Sequence, residues 1–98
     1  MDNRFDAVII GAGIIGSAIG CGLARRGWHT LNVDRLETAG QGSTSSSVAI
    51  VRSHYSTLEG SALAWEGTQC WEDWRGHIGT DDPAGMAEFR QTGVLVLK

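Results

Sequence analysis

The stretch that decides the fold runs from Phe5 to Asp34, FDAVIIGAGIIGSAIGCGLARRGWHTLNVD. Its first six residues, Phe5 to Ile10, are a short apolar run rich in branched side chains, the pattern of a β-strand covered on both faces. The run stops at Gly11 and the period changes. Ile15, Ile19, Gly22 and Leu23, with Arg26 on the flank, recur at helical spacing as far as Gly27, which is suited to ending a helix because it enters the left-handed conformation without strain. The residues WHTLNVD, 28–34, are extended and branched again. Strand, helix and strand within about thirty residues make a crossover unit, so the two strands are expected to be parallel and the connection right-handed.

Between the first strand and the helix lies GAGIIG, Gly11 to Gly16, which fits the pattern GxGxxG. That pattern gains meaning from its context: a strand before it, a helix after it, and Asp34 closing the next strand about twenty residues on. Gly11 permits the tight turn, Gly13 lets the backbone approach a pyrophosphate, and Gly16 lets helix and strand pack closely. The positive helix end and its unpaired amides then face the phosphates. Asp34 is suited to accept hydrogen bonds from both hydroxyls of an adenosine ribose. Its charge disfavours the 2′-phosphate of NADP, although the neighbouring Arg35 pulls the other way. The fingerprint leaves FAD and NAD unseparated, because both present an adenosine pyrophosphate to the same surface.

The whole chain has 98 residues, enough for one small domain. Its 14 glycines are about twice the usual share, so tight turns carry unusual weight. A net charge of −3 with scattered basic residues gives no footprint for nucleic acid. Cys21 and Cys70 lie in no metal-ligand spacing, and reduced thiols in a cytoplasm are the expected state. No metal is expected. From Ala7 to Ala24 no residue is charged, long enough to raise a membrane span, with Gly16 and Gly20 at helix-packing spacing. The five glycines along that run argue against a span, and no membrane association is expected.

Beyond Asp34, residues 37–47 read as a loop. Leu63, Gly67, Trp71, Trp74 and Ile78 then mark one amphipathic helix ending near Gly76 or Gly79, its tryptophans acting as core anchors. GTDDPAG, residues 79–85, is a turn by composition. MAEFRQTGVLVLK, residues 86–98, reads as two extended pieces around Thr92 and Gly93.

Three segments together resemble the flavin-dependent amine oxidoreductases, the group containing sarcosine oxidase, dimethylglycine dehydrogenase, glycine oxidase and D-amino acid oxidase. They are VIIGAGIIGSAIGCGLARRG (residues 8–27), GSTSSSVAIVRSHYS (42–56) and TGVLVL (92–97). The resemblance implies FAD as cofactor and a Rossmann-like βαβ unit of the α/β class, with an additional helix and a C-terminal strand pair. The cofactor-binding residues it points to are Gly11, Gly13, Ile15, Gly16, Asp34, Arg35, Gly42, Ser43, Thr44 and Ile50. In this family the chain returns to the cofactor at the Gly-Ser-rich loop. Gly42, Ser43 and Thr44 would thus hydrogen-bond cofactor oxygens, while Val48, Ala49 and Ile50 would cover the flavin.

Arg52 matches the arginine that holds a substrate carboxylate in sarcosine oxidase-like members, a task suited to a guanidinium fork. A surface or cofactor-phosphate arginine is the alternative. Several sarcosine oxidases have a second arginine where this chain has Ala49. The family's dehydrogenases attach flavin through a histidine at a position matching Ser46, so covalent attachment there is not expected. His54 is given no catalytic role.

The implied activity is oxidation of secondary or tertiary amino acids, so the expected partner is a small amine or amino acid. Complete members have a longer nucleotide-binding sheet and a separate substrate domain. Residues 1–98 are therefore expected to be the N-terminal portion of an FAD-binding domain, inactive alone, with apolar edges that another chain could complete. An NAD-binding module and a non-catalytic remnant are the competing readings.

Overall fold

The computed structural model describes residues 3–97. In chain order the elements are β1 (Ala7–Ile10), α1 (Ile14–Ala24), β2 (Thr30–Val33), α2 (Leu58–Glu72) and α3 (Trp74–Ile78). This is a mixed α/β chain whose two strands form a parallel pair, with Ala7 opposite Thr30 and Ile10 opposite Val33. The chain divides between Ala49 and Ile50 into two compact units, the first holding β1, α1 and β2 and the second α2 and α3.

In the first unit the backbone pairing runs past the strand ends. Asp6 donates its amide to His29 O at 2.8 Å, and Gly11 donates to Val33 O at 2.7 Å. The Asp6 carboxylate also accepts the His29 amide at 2.7 Å, fixing the lower end of the register. Helix α1 closes as the sequence requires. Gly27, at φ +82°, donates to Ala24 O, and Trp28 donates to Leu23 O, the paired bonds that satisfy the last carbonyls of a helix ending on a left-handed glycine. Eleven residues make α1, and among the described residues no helix is long and apolar enough to cross a membrane.

Three expectations need correction. The first strand is not covered on both faces. A single helix covers a single face, and residues alternate across a strand. Ala7 and Ile9 are half-buried, whereas Val8 and Ile10, on the other face, are 58% and 89% exposed. Leu31 and Val33, their register partners on β2, are exposed too. Among the described residues no apolar side chain is fully buried.

Second, the single amphipathic helix is two helices, α2 and α3. Asp73 interrupts it at φ −121°, ψ 63°, and its carboxylate accepts the Gly76 amide at 3.1 Å, capping α3. A short acceptor that competes for a backbone donor starts a new helix where spacing alone reads a continuous one. Gly79, at φ +70°, ends α3 at the more distal of the two positions read from the sequence. Trp71 and Trp74 stack at 4.8 Å and are half-buried, but Trp65 is 60% exposed and anchors no core.

Third, the described residues contain no C-terminal strand pair. The segment 87–97 has no ladder partner, and a strand exists only through hydrogen bonds to a neighbour. The turn before it is present: Asp82 accepts the Ala84 amide on its side chain at 2.8 Å and the Gly85 amide on its carbonyl at 3.0 Å.

Candidate functional site

The candidate site of the first unit is built where three segments meet: the glycine turn between β1 and α1, the end of β2, and the loop 39–46. Gly11 sits at φ +114°, a region that side chains rarely enter, and so makes the turn. Gly16 faces back onto it. A Cβ there would overlap the Gly11 carbonyl oxygen, so the first turn of α1 lies against the glycine turn only because that atom is missing. Gly13 is the cap residue of α1 and has no side chain to offer its amides. Thr44 supplies what is missing from thirty residues away, its hydroxyl oxygen accepting the Ile14 amide at 2.9 Å. A Cβ on Gly13 would stand 3.0 Å from that same oxygen, so the small residue makes room for the remote cap.

The loop is not a free, solvated tract. Gly40 donates to Ala12 O at 2.9 Å, Ser45 returns to Gly40 O at 3.0 Å, and the Ser45 and Ser46 hydroxyls donate to Gly42 O at 3.1 and 3.5 Å. Thr44 is half-buried in this arrangement, while Gly42 and Ser43 are exposed beside it. Replacing Thr44 with valine, which keeps the shape and removes the acceptor, is expected to destabilise the protein by about 1 kcal/mol, the usual worth of an N-cap. Thr44→Ser should retain most of it. Urea midpoints of the two variants against wild type check this.

Asp34 lies at the mouth of the turn. Its carboxylate accepts the Ala12 amide at 2.8 Å through Oδ2 and the Leu36 amide at 2.9 Å through Oδ1. These donors, Leu36 first and Ala12 second, hold its carboxyl below the usual carboxylate range, with Arg35 adding a smaller pull in the same direction. Each carboxylate oxygen keeps a lone pair for a further donor. The first intrahelical bond of α1 runs from Ser17 to Gly13 O, and the amides of Ile15 and Gly16 find no acceptor among the described residues. Two open amides at a helix start, beside a fixed carboxylate, are the donor set for an anionic group attached to a polyhydroxyl.

A family profile described as DAO, FAD dependent oxidoreductase, matches residues 6–98. The chain belongs to that family. A curated relative, a probable sarcosine oxidase from Arabidopsis thaliana, is 30% identical over 79 residues, 80% of this chain. The chain spans 19% of that relative's length. No solved structure matches.

Against this family frame, the first unit brings together Gly11, Gly13, Gly16, Asp34 and Thr44. Ile15 is 75% exposed in the first turn of α1, and Arg35 lines an open recess with Ile10, Gly11, Val33 and Asp34. Ile50 and Arg52 belong to the second unit. There Ile50 is exposed, and the Arg52 guanidinium lies 4.8 Å from the centre of the Tyr55 ring. Tyr55 is itself held by Ser61, whose hydroxyl oxygen accepts the Tyr55 amide at 3.2 Å and whose hydroxyl proton is within 3.3 Å reach of its carbonyl. Ser53 pairs with the buried Thr68 hydroxyl at 3.2 Å, so the chain just after Arg52 is tied to α2 at Ser53 and again at Tyr55. Arg52 also lines a cleft with Trp65, Phe89 and Arg90. Among the described residues no cluster of three or more His, Cys, Asp or Glu is arranged to hold a metal.

Sequence reading missed Asn32, whose side-chain amide donates to Gly16 O at 3.0 Å and Gly11 O at 3.4 Å. The signal was present as an asparagine in an otherwise apolar strand, two residues before Asp34 and so on the same face.

Proposed function

We propose that this chain forms the FAD-binding front of an enzyme that oxidises secondary or tertiary amino acids. The observation that carries the reading is the glycine turn with the Asp34 carboxylate bonded to the Ala12 amide and two open amides alongside. The donor set fits FAD: the Ile15 and Gly16 amides and the Thr44 hydroxyl proton would meet the pyrophosphate, and Asp34 the ribose. Arg35, Gly42 and Ser43 border the same seat. FAD, when bound, supplies the electron sink for hydride removal from the carbon beside the amine nitrogen. Loss of that hydride would leave an iminium ion, which water would hydrolyse to the dealkylated amine, a carbonyl compound and a proton.

In this reading the exposed Val48 and Ile50 become the apolar cover that keeps water from the reacting centre. Arg52, stacked on Tyr55, grips the substrate carboxylate and orients the amine. The bare apolar face of β1 and β2 is covered by further polypeptide, in the same chain or in a partner. A cytoplasmic setting belongs to the same proposal and is supported by the free thiols Cys21 and Cys70.

Titration of the chain with FAD, followed by flavin fluorescence, tests the reading. Saturable quenching is expected, with NAD competing weakly; tight NAD binding with no response to FAD refutes it. In the complete enzyme, Arg52→Ala is expected to raise KM for a carboxylated amine by about tenfold or more, the worth of one charge-assisted contact. Steady-state kinetics with the carboxylated substrate and its carboxylate-free analogue separate a clamp from a surface arginine, because only the former loses its preference.

A further inference from the structure

We propose that Asn32 and Asp34 together clamp one peptide group, the Gly11–Ala12 unit, and that Asn32 is a positioning residue for the adenine-dinucleotide turn. The proposal rests on the reading that this turn receives the diphosphate. The two residues stand two apart, Asn32 on β2 and Asp34 just past its end, and both side chains reach the glycine turn. There the Asn32 side-chain amide reaches Gly11 O at 3.4 Å, and the Asp34 carboxylate takes the Ala12 N–H at 2.8 Å. That carbonyl and that N–H belong to a single planar unit, so holding both ends removes its freedom to rotate.

The restraint matters at this place because Gly11, at φ +114°, has little conformational preference of its own. The second N–H of the Asn32 amide goes to Gly16 O at 3.0 Å, linking the same side chain to the first turn of α1. One asparagine thus sets the glycine turn and the helix start relative to each other, and those are the two surfaces that present amides to the phosphates. Gly20 completes the device. It is the buried residue of α1, and a Cβ there would come within 2.7 Å of Asn32 Oδ1, so the helix leaves a notch that the amide fills. An aliphatic residue at position 32 would suit a strand and fill that notch, but it would donate to neither carbonyl.

Asn32→Leu tests the clamp in the protein with and without FAD. Without FAD, amide exchange at Ala12, Ile14 and Ser17 is expected to quicken by about tenfold, the worth of one to two lost hydrogen bonds, while the amides of α2 keep their wild-type rates. The Asp34 carboxyl should titrate higher, towards its ordinary value, as its hold on Ala12 loosens. FAD affinity should fall by about tenfold as well. Should the leucine variant not fold, Asn32→Ala reads the same amides.

Unchanged exchange at residues 12–17, or equal acceleration throughout α1 and α2, overturns the proposal. The first shows no restraint and the second only global destabilisation. If exchange localises to the turn but wild type takes up no FAD, the clamp stands and the assignment of its ligand falls.

Discussion

Gly16→Val is expected to abolish FAD binding and to leave the first unit poorly folded. The reason is a backbone oxygen. A Cβ at position 16 would overlap the Gly11 carbonyl, which is itself held by Asn32 and cannot swing aside as the end of a flexible side chain would. Forcing atoms into such a contact costs about 1–3 kcal/mol, and the branched valine adds crowding. Replacing a helical glycine ordinarily stabilises by up to about 1 kcal/mol, so at this position the clash outweighs the propensity gain.

Gly22→Ala on the same helix is the control. A Cβ there meets only the Arg26 guanidinium at 3.6 Å, an ordinary contact, and the helix should gain stability. Thermal melts and flavin titrations of both variants check the contrast. For a chain of about this size 1 kcal/mol moves the midpoint by about 4–8 °C, so opposite signs are easily read.

Asp34→Asn is expected to weaken FAD binding strongly and to remove an acid-sensitive part of the stability. In wild type, folding lowers the Asp34 carboxyl below the ordinary value of 3.8 because the Leu36 and Ala12 amides favour the charged form. A group lowered by folding contributes fully above its unfolded value, and the contribution is lost as pH falls through the lower folded value. The gap between wild-type and variant urea midpoints should therefore be constant from pH 7 to about 5 and narrow as pH falls below the ordinary value of 3.8. A gap that widens on acidification would contradict the assignment. The ribose contact should be read separately, by comparing FAD with a 2′-deoxyadenosine analogue: wild type discriminates between them and the asparagine variant does so less.

The βαβ order and the ends of its elements were legible because the relevant signals are local. Gly11 and Gly27 are left-handed in the structure at the places where the hydrophobic period changes. Long-range features were legible only where charge or composition advertised them. Asp34 stood out as an acid at the end of an apolar strand, whereas Asn32 carries no charge and its partners lie 16 and 21 residues away. Thr44 was read as a ligand group for the cofactor. Its role as a remote cap for Ile14 could not be read, because it depends on Gly13 having no side chain and on how the loop folds back. The single long helix failed at Asp73 for the opposite reason: a local capping contest there defeats a periodic pattern that is otherwise continuous. The C-terminal strands failed because pairing is a property of two segments, and the period of one segment is silent about the other.

The seat at the glycine turn draws on residues 11–16, 34 and 44, and it exists only while all three segments are in register. With so little apolar surface hidden in the described residues, an occupant of that seat acts as a molecular keystone. By mass action it shifts the chain away from its open forms in proportion to the logarithm of its concentration. Protease resistance of the chain should accordingly rise and fall with the supply of its ligand.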